Sequence, residues 1–126
     1  MGGEKPQKNK GFKRLIMACV YSYEGIKAAL ENEAAFRQEA VLAAVLFAAL
    51  PFLGASLAEK LIMGGAVVLL LIVELLNSAI EECVNLCTQE FHPLAKRAKD
   101  MASAAVLLAI LNMIAVWAFV LCKIFF

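Results

Sequence analysis

Charged residues are scarce in this chain, and several common active-site motifs are missing from it. Of its 126 residues, 18% are charged and 63% hydrophobic, whereas soluble domains average about 25% and about 45–50%. The sequence contains no G-x-x-x-x-G-K-[ST] phosphate loop, no G-x-G-x-x-G kinase loop, no H-E-x-x-H zinc motif and no Ser-His-Asp arrangement. These absences exclude the familiar soluble kinase and hydrolase sites. No alternating strand pattern is present either, which predicts an all-α fold.

Residues that commonly bind zinc are equally sparse. His92 is the single histidine, and the four cysteines are scattered, with Cys83 and Cys87 one helical turn apart. Two cysteines without a second ligand pair make a poor zinc site, so we interpret them as packing residues. No cleavable signal peptide is expected, because the first long apolar run has the length of a full membrane span.

Three long apolar runs are present instead. Residues 40–58 and 101–122 carry no charge, and residues 61–80 are interrupted only by Glu74. Each run meets the roughly 20 residues that a helix needs to cross the hydrocarbon core. The sequence therefore predicts one domain, residues 1–126, folded as an integral membrane three-helix bundle. Most lysines and arginines precede the first run or separate the second from the third, which places the N-terminus in the cytoplasm.

Periodicity predicts the extent of each segment. The start of the chain, residues 1–10, is polar and is expected to be disordered. An amphipathic helix follows at 12–31, with apolar residues at three- and four-residue steps that suit either the membrane surface or packing on the bundle. The three spanning helices are expected at 34–54, 57–89 and 93–124.

Individual residues predict where these helices begin. Asn32 is expected to cap the first spanning helix. Ser56 and Glu59 have the spacing of a capping box at the start of the second, which gives Glu59 a structural role. Pro93 fits the first turn of the third.

Polar residues form one stripe along the second spanning helix. The spacing of three, four, seven and eleven residues from the first member places them on one face: Glu74, Asn77, Ser78, Glu81 and Asn85. An ionisable group within a membrane helix costs about 2.5–3.5 kcal/mol, so Glu74 by default suggests a functional site. The alternative is that Glu74 only pairs with a lysine or hydrogen-bonds to a neighbouring helix.

Two further polar clusters enter the membrane at the same predicted depth. The first spanning helix carries Glu33, Arg37, Gln38 and Glu39. The third carries Lys96, Lys99, Asp100 and Ser103. Carboxylates suit Mg²⁺, basic side chains neutralise phosphate, and a buried carboxylate can act as a general base. These residues predict a site at the membrane interface with metal and phosphate character.

Three segments of the chain resemble prokaryotic diacylglycerol kinases. They are NEAAFRQE at 32–39, VELLNSAIE at 73–81 and RAKDMASAAVL at 97–107, and the likeness extends over about residues 11–122. The resemblance implies a homotrimer of three-span subunits in the bacterial inner membrane, each with a surface helix. It implies transfer of the γ-phosphate of MgATP to diacylglycerol, which yields phosphatidic acid. No nucleic-acid partner is expected.

The resemblance also implies roles for matching positions. Glu74 is the expected general base, with Asn77 beside it, and Glu33 and Glu81 are the expected magnesium ligands. The expected ATP contacts are Arg14, Tyr21, Glu33, Glu81, Glu90, His92, Lys99 and Asp100. The expected lipid contacts are Arg14, Ala35, Glu39, Glu74, Ser103 and Trp117. Asn85 stands where the family often has aspartate, so position 85 is expected to matter less than the others.

Two other functions stay open. Related Gram-positive kinases phosphorylate undecaprenol, although NEAAFRQE resembles the diacylglycerol type. A non-enzymatic helical oligomer, such as a small transporter or channel, would carry polar residues through the full membrane depth. Here they cluster at one predicted end of the helices, which argues against a conduit.

Overall fold

The described part of the chain, residues 10–126 of a computed structural model, is helical and contains no β-strand. Helix α1 spans Gly11–Asn32, α2 spans Ala34–Ala49, α3 spans Leu57–Cys87 and α4 spans Pro93–Phe125. A 3-10 turn, Leu50–Phe52, continues α2. The all-α fold is confirmed. Of the segment expected to be disordered, residues 1–9 lie outside the described residues.

Three of the helices are long and apolar enough to cross a membrane. They are α2 with its 3-10 turn, α3 and α4, as the three apolar runs predict. Helix α3 has 31 residues, which corresponds to about 46 Å of helix, against a hydrocarbon core of about 30 Å. One end of α3 therefore extends beyond the apolar layer.

The helix starts follow the capping chemistry of the sequence in two of three cases. Ser56 Oγ accepts from the amide of Glu59 at 3.1 Å, and Glu59 Oε1 accepts from the amide of Ser56 at 3.1 Å, so the capping box is confirmed. Pro93 occupies the first turn of α4, as expected, and His92 Nδ1 caps that helix by accepting from the amide of Leu94 at 3.1 Å.

The prediction for Asn32 is wrong. Asn32 ends α1, and its side-chain amide donates to the carbonyl of Ala28 at 2.8 Å. The extended residue between α1 and α2 is Glu33, which becomes the N-cap of α2 without a side-chain capping bond. Asn is favoured at N-caps, but here its side chain hydrogen-bonds to the preceding turn of α1 instead of capping α2. Helix α3 also ends at Cys87, slightly before the expected Gln89.

The core lies between α3 and α4. Met63, Val67 and Leu70 of α3 are almost fully buried against a cluster that includes Met113 and Trp117 of α4. Trp117 Nε1 donates to the backbone carbonyl of Met63 at 3.1 Å, so the indole is both packed and hydrogen-bonded. This packing fixes the rotation of α3 and hence the direction of its polar stripe.

Helix α1 is largely uncovered. Ala29 is buried, but Phe12, Leu15 and Ile26 of the apolar stripe are exposed. The single chain therefore leaves most of the stripe uncovered, and packing on the bundle stays a prediction. Cover by a membrane surface stays a prediction.

Gly64 permits the close approach of α2 to α3, and this can be tested against its neighbour Gly65. A Cβ on Gly64 would lie 3.3 Å from Phe47 Cε1 and 3.6 Å from Leu50 Cδ1, whereas a Cβ on Gly65 meets nothing within 4 Å. We expect Gly64→Val to destabilise the protein by about 1–3 kcal/mol through overpacking. Thermal unfolding in detergent measures the change.

Gly65→Val is the matched control, since it adds the same side chain one residue away. Phe47→Ala should recover part of the loss in Gly64→Val, because it removes the side chain that the new methyl groups meet. Equal unfolding midpoints for the two valine variants would contradict the packing explanation.

Candidate active site

The polar stripe of α3 is directed inward at its centre. Glu74 is 4% exposed and Ser78 is 7% exposed. Asn77 and Glu81 are half-buried, and Asn77 Nδ2 donates to Glu81 Oε1 at 3.4 Å. Within residues 10–126, Glu74 takes part in no ion pair with a lysine or arginine. Simple charge pairing therefore does not explain why a carboxyl group is placed in this apolar helix.

The charged groups that act on Glu74 are other carboxyl groups instead. It interacts electrostatically with Glu81, about two turns further along α3, and with Glu33 at the N-cap of α2. Glu39 of α2 interacts electrostatically with Glu74 in turn. Four acidic side chains from two neighbouring segments thus share one region, and a bound cation would relieve their mutual repulsion.

This donor set fits magnesium that arrives with a nucleotide. Among the described residues, no three Asp, Glu, His or Cys side chains are arranged to hold a metal by themselves. Mg²⁺ commonly takes one or two protein carboxylates and completes its shell with water and substrate phosphates. Glu39 Oε2 and Asn77 Oδ1 are buried oxygens without a hydrogen-bond partner in residues 10–126, so they remain available to a ligand.

A cleft of about 430 Å³ opens where α3 ends and α4 begins; we refer to it as the α3–α4 cleft. Its lining includes four of the residues that the resemblance assigns to ATP: Glu90, His92, Lys99 and Asp100. Lys99 Nζ donates to Asn85 Oδ1 at 2.8 Å. Lys96 Nζ lies 2.6 Å from Asp100 Oδ2. The structure thus brings these predicted contacts together on the side of the site away from the core.

A second cleft, of about 570 Å³, lies between α1 and α3. Glu33 and the buried Ser78 line it together with small residues of α1, namely Gly25, Ala28 and Ala29. Sequence reasoning missed this cleft. The signal was present in the three- and four-residue spacing of the small residues, which leaves one face of α1 without bulky side chains.

Several predicted residues are not part of the buried stripe around Glu74. Arg14 and Tyr21 are exposed on α1, and Ala35 and Ser103 are exposed on α2 and α4. Trp117 is buried beside Met63, which precedes Glu74 by roughly 16 Å along α3. The structure gives Trp117 a core role, and its contact with lipid stays a prediction.

Arg37 has a structural role at the junction of α1 and α2, which its position next to acidic residues in the sequence does not predict. Its Nη1 donates to the carbonyls of Leu30 at 2.9 Å and Glu31 at 3.1 Å. These carbonyls belong to the last turn of α1, where backbone acceptors lack helical partners. Arg37 therefore joins α1 to α2 and holds Glu33 between them, which is a different task from the phosphate neutralisation expected from sequence.

The fold and the site together define a class of protein. It is a helical membrane protein with several spans, whose acidic site and lysine-lined cleft suit a cation and phosphate groups. The family model described as "Prokaryotic diacylglycerol kinase" matches residues 20–121. This chain belongs to that family.

Individual relatives are similar over nearly their whole length. The diacylglycerol kinase of Escherichia coli (strain K12) is 48% identical over 113 residues, which cover 88% of this chain and 91% of that protein. The diacylglycerol kinase of Pseudomonas aeruginosa is 46% identical over 111 residues, covering 88% and 90%. That of Helicobacter pylori (strain 26695) is 44% identical over 114 residues, covering 90% and 89%.

Trp117→Phe separates the core role of this residue from a lipid contact. The substitution keeps an aromatic ring but removes the bond to the Met63 carbonyl, which retains its helical bond from the amide of Val67. We therefore expect a loss of about 0.5–1.5 kcal/mol in stability, the net contribution of one hydrogen bond. Denaturant unfolding in micelles measures this loss. If stability is unchanged while the KM for lipid rises, the core role is contradicted and the lipid contact is favoured.

Proposed function

We propose that this protein is a diacylglycerol kinase, which transfers the γ-phosphate of ATP to diacylglycerol and forms phosphatidic acid. The observation that carries the proposal is the buried Glu74 with Glu33, Glu39 and Glu81 gathered about it. Family membership supports the lipid kinase reaction, and the relatives named above support diacylglycerol as its acceptor.

The proposed location of the site is the cytoplasmic interface of the bacterial inner membrane. The basic residues before α2 and between α3 and α4 support a cytoplasmic N-terminus. This orientation places the α3–α4 cleft on the cytoplasmic side, where ATP is available. It also places Glu74 deeper, where the hydroxyl of a membrane lipid can reach it.

Glu74 is the proposed general base. Its carboxylate accepts the proton of the lipid hydroxyl as the hydroxyl oxygen attacks the γ-phosphorus. The new P–O bond forms on the lipid while the bond between the γ-phosphorus and the oxygen of ADP breaks. Phosphoryl transfer requires alignment and charge stabilisation more than covalent participation by the protein, which suits a site built from fixed helix positions.

The acidic residues around the base have supporting roles. Glu33 and Glu81 are the residues proposed to hold Mg²⁺, which supplies charge neutralisation at the phosphates when bound. Asn77 orients Glu81 through its side-chain amide. The exposed Arg14 and Tyr21 of α1 and the residues Glu90, His92, Lys99 and Asp100 are the proposed contacts of ATP.

Lipid contacts and assembly complete the proposal. The residues proposed to contact the lipid are Arg14, Ala35, Glu39, Glu74, Ser103 and Trp117. A homotrimer is proposed from the family resemblance, and the uncovered apolar side chains of α1, such as Phe12 and Leu15, are compatible with cover from lipid or from another subunit.

A lipid-dependent ATPase assay tests the function directly. In mixed micelles with Mg²⁺, we expect ATP consumption that requires diacylglycerol and produces phosphatidic acid in equal amount. Removal of Mg²⁺ with EDTA should abolish it, because the carboxylate cluster alone repels nucleotide phosphates. Undecaprenol in place of diacylglycerol is the parallel test: preferential phosphorylation of undecaprenol would identify a polyprenol kinase, and no response to either lipid would favour a non-enzymatic protein.

Glu74→Gln tests the general base. The amide keeps the size of the side chain but cannot accept the proton, so we expect folding and MgATP binding to persist while kcat falls by about 10²–10⁴. Turnover with diacylglycerol and nucleotide binding are measured on the same preparation.

Glu82→Gln is the control, because Glu82 lies on the same helix and is exposed. It should retain activity close to that of the unaltered protein. A Glu74→Gln variant that turns over diacylglycerol at the unaltered rate would refute the assigned base.

A further inference from the structure

The two lysines that line the α3–α4 cleft have different partners. Lys96 Nζ forms an ion pair with Asp100 Oδ2 at 2.6 Å. Lys99 Nζ donates to the side-chain carbonyl of Asn85 at 2.8 Å. All four residues line the same cleft. One lysine is therefore charge-compensated within the protein, and the other is held by a group that carries no net charge.

A neutral partner has two consequences for Lys99. An ammonium group has three N–H donors, so the bond to Asn85 leaves two for a ligand. The amide also leaves the positive charge uncompensated, whereas a carboxylate at the same place would cancel much of it. Since lysine is otherwise a flexible side chain with many rotamers, a fixed acceptor lowers the entropic cost of placing its charge at one point.

Asn85 is itself well placed for this task. It lies one turn beyond Glu81 on α3, and its backbone carbonyl accepts from Gln89 Nε2 at 2.8 Å. The contact from Asn85 to Lys99 joins the end of α3 to α4 across the cleft. The helix that carries the proposed base thus also determines where the ammonium group of the neighbouring helix lies.

We propose that Asn85 is a positioning residue of the nucleotide site, which holds the ammonium group of Lys99 in the α3–α4 cleft and leaves its charge free for a phosphate of the nucleotide. The inference rests on the proposed kinase function. It differs from the sequence-based expectation that position 85 matters less than the other site positions, because the side chain at this position determines both the place and the effective charge of Lys99.

Asn85→Ala tests the positioning role. Loss of one hydrogen bond should raise the KM for MgATP by about two- to tenfold. The kcat should change by less than about twofold, since a binding interaction common to ground and transition state is removed. Both constants are measured with the full-length protein in diacylglycerol micelles. A KM equal to that of the unaltered protein would overturn the proposal.

Asn85→Asp tests the importance of a neutral partner. The carboxylate can still hold Lys99 but compensates its charge and repels the nucleotide, so the KM for MgATP should also rise. The ratio of this KM to that of the unaltered protein should decline between about 0.1 M and about 1 M salt, because the Debye length falls from about 10 Å to about 3 Å. The corresponding ratio for Asn85→Ala should stay constant. An aspartate variant that binds MgATP as well as the unaltered protein at low salt would contradict the charge requirement.

Leu86→Ala is the matched control. Leu86 is adjacent to Asn85, is 89% exposed and is not part of the cleft lining, so its truncation should leave the KM for MgATP unchanged. An equal rise of KM in this variant would assign the effect to the end of α3 in general and overturn the role of Asn85. If the unaltered protein shows no lipid-dependent ATP consumption, the kinase function itself fails, and that result is distinct from an active protein whose Asn85 variants behave normally.

Discussion

Glu74 stands in an apolar helix where a carboxyl group is costly to bury, and the surrounding structure is organised around that cost. Its neighbours are not basic residues but further carboxyl groups, Glu33, Glu39 and Glu81. A bound divalent cation would offset repulsion of this kind, and Mg²⁺ commonly binds to one or two protein carboxylates. The acidic cluster, the junction of α1 and α2 that holds Glu33 and the cleft beside Lys99 are the three features on which the proposed site depends.

Helix α3 connects the parts of the molecule. Its first half packs on α4 through Met63 and Val67, and this packing determines which way the second half faces. The second half carries Glu74, then Glu81, then Asn85 at intervals of one or two turns. Because a helix is stiff over this length, the position of Glu74 along α3 and the position of the Lys99 contact are set together.

Much of the fold was predictable because it depends on local chemistry. Length and hydropathy define the three spans, and the capping box at Ser56 and the proline at position 93 define two helix starts. The sequence predicted the site only as a stripe of residues on one helix. Helical periodicity shows which residues share a face, but not which residues of other helices that face meets. The prediction that Asn32 caps α2 was wrong because an Asn side chain can also hydrogen-bond to the preceding turn of its own helix. The Lys99–Asn85 bond, the task of Arg37 and the α1–α3 cleft depend on how separate helices meet, which a single sequence does not encode locally.

The outer ends of α3 and α4 are joined twice, by the indole of Trp117 on the carbonyl of Met63 and by Lys123 Nζ at 3.3 Å from Glu59 Oε2. At their other ends a short connection, closed by the His92 cap, links the same two helices. The two helices are thus held together at both of their ends. Helices α1 and α2 contact that pair far less extensively. Glu33 therefore belongs to the more loosely packed part of the chain and Glu74 to the more tightly packed part, so the distance between these two carboxyl groups depends on the few contacts that hold α1 and α2 to α3.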